Sequence, residues 1–380
     1  MSNTYLFALT DGGGSVAPEL GLARRLVERG HRVTVLAEDS MVPAVAATGA
    51  AFRPWRNGLN RPDNQPEHAP YREWELLVAA EADGVPFDVL MPNLYPLPAP
   101  GLPPFGPGLR PARGPAGRLR DRLVGAMSQR MWDGAALPGL NALRAAYCLE
   151  PMAHYQDQPH RARRELVMTS AEFDFPARLP ANVRYVGPVL DEPVWAAEPW
   201  QPPAGDAPLV LVSMSSTFQN QAECLQRVAD AVGSLSLRGL VTTGPVIDPG
   251  QLTAPPGVTV VSAVPHGEVL RHVSLVVTHG GHGTLARAFA AGVPVVVLAH
   301  GRDQADNAAR VVHHGAGRSV SRAAKPAKIA DAVRRVLDDP SYRRSAARLG
   351  AALRRDAADG RLIAEVEDLD PGQPQGRHAA

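Results

Sequence analysis

Residues 275–291 confine the chain to a narrow set of folds. Leu275, Val276, Val277 and Thr278 read as a strand buried inside a parallel sheet, His279-Gly280-Gly281-His282-Gly283-Thr284 turns the chain, and Leu285 to Ala291 reads as the helix that follows. A glycine turn between a strand and a helix points free backbone N–H groups at whatever lies above it. Those donors and the positive end of the helix dipole favour a phosphate, and Gly280, Gly281 and Gly283 let it approach with no Cβ in the way. His279 adds a side-chain donor. With Gly292-Val293-Pro294, Asp303-Gln304 and Asn307 downstream, the stretch reads as a site for a sugar attached to a diphosphate.

The same alternation runs through the rest of the chain. At the start, a strand at Tyr5 to Leu9, a glycine turn at Asp11 to Gly14, a helix at Ala17 to Arg29, Gly30-His31 and a strand at Arg32 to Ala37 make a βαβ unit. Pro18 suits the first helical turn, Leu20, Leu22, Ala23, Leu26 and Val27 form its apolar face, and Gly30 ends it. Right-handed crossovers then imply a Rossmann-like unit. In the second half, strands at Leu209 to Ser213, Gly239 to Thr243, Val258 to Ser262, Leu275 to Thr278 and Val295 to Ala299 alternate with helical stretches, which implies a second parallel sheet.

The expected class is therefore α/β, with two Rossmann-like units, and 380 residues with 45% hydrophobic content are enough to bury both cores. The divisions are a first unit at 1–190, a linker at 191–208 marked by Pro193, Pro199, Pro202 and Pro203, a second unit at 209–340, a closing helix at 341–365 and a disordered tail at 366–380. The closing helix, roughly Tyr342 to Ala364, is expected to pack back on the first unit. Between Met91 and Pro115 the chain is dense in proline and glycine, which predicts an irregular loop that is either a binding loop or a plain surface excursion.

A formal net charge of +1, from 39 basic and 38 acidic residues, supplies no global field toward nucleic acid or an anionic membrane. Small-molecule chemistry is the better expectation. Cys148 and Cys224 have no metal-ligand spacing and suit a reducing cytoplasm. The opening Ser2 to Thr10 has no basic leader and stops at Asp11, as a first strand would, and no run approaches a membrane span.

In this order along nearly the whole chain, the motifs resemble those of the GT-B-fold glycosyltransferases of family 1, the group of bacterial antibiotic and macrolide glycosyltransferases and UDP-glycosyltransferases. The resemblance rests on Val16-x-Pro18 with Leu22-Ala23-x-x-Leu26, on Val212-Ser213-Met214-Ser215-Ser216-Thr217, on Val264-Pro265-His266, and on the HGGxGT…GVP…DQxxN pattern from His279 to Asn307. It implies two Rossmann-like domains facing each other across a cleft, the first binding an acceptor and the second a UDP- or TDP-sugar. The activity implied is inverting transfer of a hexose or deoxyhexose to a hydroxyl of a hydrophobic natural product, with no cofactor and no metal, in a cytoplasmic monomer or homodimer.

The site residues follow from the same resemblance. His279, Gly280, Gly281, Gly283 and Thr284 would hold the diphosphate, with cationic and backbone donors stabilising the charge that grows on the leaving group. Asp303 and Gln304 suit sugar hydroxyls, Ser215, Ser216 and Thr217 would line the cleft near the diphosphate, and Val264 and His266 would contact the base. Ala263 stands where plant members carry a stacking tryptophan, which leaves uracil and thymine both open. On the acceptor side, Leu94, Tyr95 and Phe105 of the proline-rich loop would suit an apolar ligand.

The expected catalytic base is missing. Ser15 occupies the position where many family members place a histidine, and an unassisted serine is a poor base. Asp11 on the same turn is the first substitute, although an aspartate there could equally form the turn or cap the helix. His154, Asp157, Glu172 and Asp174 are unranked candidates, and His31 is expected to be structural. Two other readings compete: a catalytically silent glycosyltransferase-like helper, motivated by Ser15, and a GT-B sugar-nucleotide epimerase, which would lack an apolar acceptor cleft. The turn at Asp11 to Ser15 lacks the GxGxxG spacing of a dinucleotide-binding dehydrogenase.

Overall fold

The computed structural model describes residues 2–55, 73–191, 200–215 and 219–369. The first unit opens with β1 (Thr4–Ala8), a 3-10 turn at Gly13–Ser15, α1 (Val16–Glu28), β2 (Arg32–Ala37), the short α2 (Val42–Ala46) and β3 (Ala51–Pro54). Helix α1 stops because Gly30 adopts φ 87°, a left-handed conformation that glycine enters without strain. There follow α3 (Glu73–Ala82), β4 (Asp88–Met91), α4 (Gly114–Ala146), β5 (Arg164–Val167) and β6 (Val183–Tyr185). The strands form two parallel sheets, ordered β1-β2-β3 and β4-β5-β6.

Sequence periodicity missed β3 to β6 and α4. The strands are only three or four residues long, too short for alternation to register. Helix α4 spans 33 residues but buries only Leu140 and Arg144, so it has no continuous core-facing stripe. Residues 92–113 between β4 and α4 carry neither helix nor strand, as the prolines predict.

The second unit runs β7 (Leu209–Ser213), α5 (Ala222–Gly233), β8 (Arg238–Thr242), β9 (Val258–Val261), α6 (His266–Val269), β10 (Val273–Thr278), α7 (His282–Ala290), β11 (Val295–Val297), α8 (Gln304–His313), β12 (Gly317–Ser319) and α9 (Pro326–Asp338). Its six strands are parallel, in the order β12-β11-β10-β7-β8-β9. Alternate strand residues serve opposite faces: Val210, Val212, Val241, Leu275 and Val277 pack with α5 and α9, whereas Leu209, Leu211, Leu240, Val276 and Val297 pack with α7 and α8. Between β7 and β10 the connections leave in opposite directions. That reversal opens a crevice at the carboxyl ends of the strands.

The closing helix expected over 342–364 is two helices, α10 (Pro340–Ala358) and α11 (Arg361–Glu367), because Gly360 takes φ 74° between them. Helix α10 lies so close to α7 that a Cβ at Gly350 would overlap the Phe289 carbonyl. Helix α11 sits against the first unit, where Leu362 and Val366 join a core with Phe7, Leu22 and Val35. Glu367 accepts from Arg29 Nε at 2.6 Å and sits 2.8 Å from His31 Nε2, which assigns His31 a structural role.

Direct contacts join the two units. Leu94 and Phe173 are buried among core residues of the second unit. Arg310 on α8 pairs with Asp174 at 2.6 Å, both side chains buried, its guanidinium lies 4.3 Å from the Phe175 ring centroid, and Tyr185 Oη donates to the same carboxylate at 2.8 Å. Among the described residues no helix is long and apolar enough to cross a membrane. The tail expected from 366 is corrected at its start, since residues 366 and 367 end α11 and Val366 is buried in the core of the first unit; residues 370–380 and linker residues 192–199 lie outside the described residues.

Candidate functional site

Gly281 caps α7 with an extended backbone (φ −61°, ψ 136°), which turns the first N–H groups of the helix toward the crevice. Two of the glycines cannot be replaced without rearrangement. A Cβ at Gly280, whose φ is 94°, would lie 2.6 Å from Val297 Cγ1, and one at Gly281 would lie 2.5 Å from His279 Nε2. His279 therefore stacks directly beneath the cap. Thr284, in the first turn of α7, is half-buried.

The expected cationic contribution of His279 is corrected by its burial. Only 9% of the residue is exposed, and loss of hydration pushes its pKa down to about 3, with His300 and Arg302 acting in the same direction. It is a neutral donor or acceptor at neutral pH. Burial likewise holds His282, next to it, and His266, across the crevice, down to about 4. Three histidines line or support this crevice, and none brings a charge.

Asp303 precedes α8 and Gln304 begins it. Asn307 Nδ2 donates to Asp303 Oδ2 at 2.8 Å, and burial, only partly offset by that bond, pushes the carboxyl up to about 6. Gln304 is 1% exposed: its Oε1 accepts from the backbone N–H of His300 at 2.7 Å and Gly301 at 3.2 Å, and its Nε2 donates to Gln219 at 2.9 Å. Gln219 in turn donates to Ser215 Oγ at 3.1 Å. In this state Gln304 ties the loops after β7 and β11 together. Ser216 and Thr217 lie outside the described residues.

Beside this network the ends of β7, β8 and β9 surround a small cleft lined by Ser213, Thr242, Gly244, Ala263, Val264 and His266. His266 Nε2 is 3.4 Å from Ser213 Oγ, and Val264 is buried. The cleft is small, with a volume of about 20 Å³.

Opposite these elements stands the first glycine turn. Arg302 Nη1 donates to the Gly12 carbonyl at 3.3 Å, and a Cβ at Gly283 would lie 3.9 Å from the Gly14 carbonyl. The turn thus faces the start of α7. Asp11 accepts from Gly13 N–H at 3.3 Å and from Ser40 Oγ at 2.9 Å, while its own N–H donates to the buried Glu38 at 3.2 Å. Those bonds give Asp11 the turn-forming role. Ser15 caps α1 without a side-chain cap bond, and its Oγ lies 2.5 Å from where a Cβ on Gly12 would stand.

Three of the other four candidate bases are paired. Asp174 is locked to Arg310, Glu172 accepts from Arg355 at 2.6 Å, and His154 Nδ1 is 2.9 Å from Asp133. Asp157 is half-buried in a 3-10 turn.

The acceptor assignment needs correction at two of its three residues. Leu94 has no exposed surface because it is packed into the core of the second unit, and Tyr95, 1% exposed, packs with Met91, Leu97, Val167 and Val183. Phe105 remains half-exposed against the second unit. The loop that carries it is anchored by a residue the sequence reading missed: Asp306 on α8 accepts from the backbone N–H of Gly106 at 2.8 Å and Gly108 at 3.2 Å. Only glycine fits at 108, since a Cβ there would lie 2.6 Å from the Ala305 carbonyl and φ is 69°. Apolar surface on the first unit lies instead on α4, where Leu119, Leu123, Met127 and Met131 are exposed at four-residue intervals.

Known proteins are similar to this chain in sequence and in fold. The family described as erythromycin biosynthesis protein CIII-like, C-terminal domain, matches residues 227–368. The chain is 27% identical to the 4'-demethylrebeccamycin synthase of Lentzea aerocolonigenes, over 92% of this chain and 95% of that protein. It is also 27% identical to the oleandomycin glycosyltransferase of Streptomyces antibioticus, over 93% and 88% of the two chains. Among solved structures, the glycotransferase of kitacinnamycin superposes with a TM-score of 0.75 at 22% identity, covering 96% of this chain and 98% of its own.

Proposed function

We propose that this chain, which belongs to the GT-B-fold glycosyltransferases of family 1, moves a hexose or deoxyhexose from a UDP- or TDP-sugar to a hydroxyl of a hydrophobic natural product. The observation that carries the reading is the opposition of the Gly12–Gly14 turn to the start of α7, an arrangement that would let an acceptor held by the first unit meet a diphosphate held by the second. Full-length similarity to enzymes named for rebeccamycin and oleandomycin supports a natural-product acceptor. The exposed α4 stripe supports an apolar one.

In the proposed reaction the acceptor oxygen attacks the anomeric carbon from the side of the first unit. The carbon–oxygen bond to the diphosphate breaks, its electron pair stays on the β-phosphate, and the sugar inverts. The acceptor proton passes to Asp11 or to water. Positioning carries most of the rate, since well-oriented reactants gain roughly 7–11 kcal/mol, and a base adds a smaller factor of about 10²- to 10⁴-fold. The reaction is proposed to need no metal and no cofactor. Among the described residues no three His, Cys, Asp or Glu side chains are placed to hold a metal ion.

The test is calorimetric titration with UDP and TDP, followed by transfer from the matching sugar donors to a panel of aromatic and polyketide alcohols, with and without EDTA. Binding of one nucleotide diphosphate and inverted, EDTA-resistant product are expected. Absence of binding to either nucleotide would overturn the reading, and binding without transfer to any acceptor would favour the silent-helper alternative.

A further inference from the structure

Departure of a nucleoside diphosphate adds one negative charge beside the start of α7. Something positive should meet it. His266, His279 and His282 are all neutral there, and Arg287 is committed, with Nη1 donating to the Gly283 carbonyl and Nη2 to the Asp191 carbonyl. Arg302 is different. Its side chain is exposed, and one guanidinium nitrogen reaches across the cleft to the Gly12 carbonyl. Because Gly283 also abuts this turn, at Gly14, the guanidinium and the first turn of α7 converge on the same three residues of the first unit.

The backbone at this position is also unusual. Arg302 adopts φ 53°, in the left-handed region that favours glycine, immediately before Asp303. A glycine would hold that turn at lower cost, so the arginine stands there against its own backbone preference. Strain of this kind collects where a side chain has work to do.

We infer that Arg302 is the cation that meets the leaving diphosphate, held by its left-handed backbone beside the start of α7 and oriented by the Gly12 carbonyl. Its planar fork can pair with two phosphate oxygens at once. When a donor enters, the single bond to Gly12 gives way to charge-assisted bonds to the β-phosphate. As the anomeric carbon–oxygen bond breaks, the electron pair left on that phosphate is stabilised by the same group. The inference rests on the reading of this crevice as the donor site.

Three variants of the full chain separate the roles of Arg302. Calorimetry with UDP, TDP and the corresponding monophosphates should show Arg302→Met weakening the diphosphate that binds by roughly tenfold, with the monophosphate little changed, and Arg302→Lys should recover part of the loss. Arg302→Gly should raise the unfolding temperature by relieving the backbone while losing diphosphate affinity as Arg302→Met does. Equal diphosphate affinity in wild type and both Arg302→Met and Arg302→Gly would overturn the assignment, as would a parallel loss for mono- and diphosphate. Wild type that binds neither diphosphate would overturn the donor-site reading itself, a distinct result.

Discussion

On the C-terminal side of the cleft the polar groups are buried and hold one another: Gln304 bridges two loops, Asn307 bridges Asp303 and the Gly280 carbonyl, and three histidines are kept neutral by burial. On the N-terminal side the turn from Asp11 to Ser15 is partly exposed and is held by bonds from Gly13 and Ser40 to the Asp11 carboxylate and from the Asp11 N–H to Glu38. The contrast teaches that the proposed donor side is preorganised by hydrogen bonds already in place, whereas the proposed acceptor side offers shape and little titratable chemistry. Such an enzyme gains rate mainly by holding the leaving group and orienting the acceptor.

The largest expected effect tests the preorganised side. His279→Ala should lower kcat/KM for transfer by about 10²-fold, the loss typical of one donor to a developing charge, while far-ultraviolet circular dichroism stays unchanged. Near-normal donor affinity by calorimetry would remove His279 from the phosphate site. On the opposite side, Asp11→Asn should reduce kcat by about tenfold or more if its carboxylate takes the acceptor proton, with Ser15→Ala near wild type. The reverse order would reject Asp11, and a small effect of both would sharpen the contrast to positioning alone.

Asp306 links the two sides, so its removal blurs the comparison. Asp306→Asn replaces one acceptor by an N–H that opposes Gly108 N–H and should raise acceptor KM severalfold with donor affinity retained; hydrogen exchange should show Gly106 and Gly108 losing protection. The mildest effect concerns pH. His266, His279 and His282 resist protonation in the fold but take protons readily when unfolded, so stability should fall as pH drops from about 6.5 toward their folded values of about 4 to about 3. Asp303, raised to about 6, opposes this trend between about pH 6 and 4 as a single group. A thermal unfolding series that gained stability on acidification would contradict the burial of these rings.

The glycine turn of the second unit was legible because its chemistry is local. The turn from Thr278 to Thr284, the strand before it and the helix after it are contiguous, and their spacing alone dictates where the backbone N–H groups point. The βαβ opening, the Gly30 stop and the parallel strands of the second unit follow from apolar runs and glycine, as does the irregular loop after Met91. The same local reading failed for Leu94 and Tyr95, since apolar residues in a proline-rich loop look alike whether they face a ligand or fill a core.

What the tertiary structure decided is everything that depends on partners far apart in the chain. Asp306 meets Gly106 and Gly108 about two hundred residues earlier, Arg310 meets Asp174, and Arg302 meets Gly12, none of which spacing can reveal. Charge state belongs to the same class. His279 could be named a phosphate ligand from its place after a buried strand, but its neutrality comes from the burial that packing produces, and a pKa responds to surroundings that no local motif encodes.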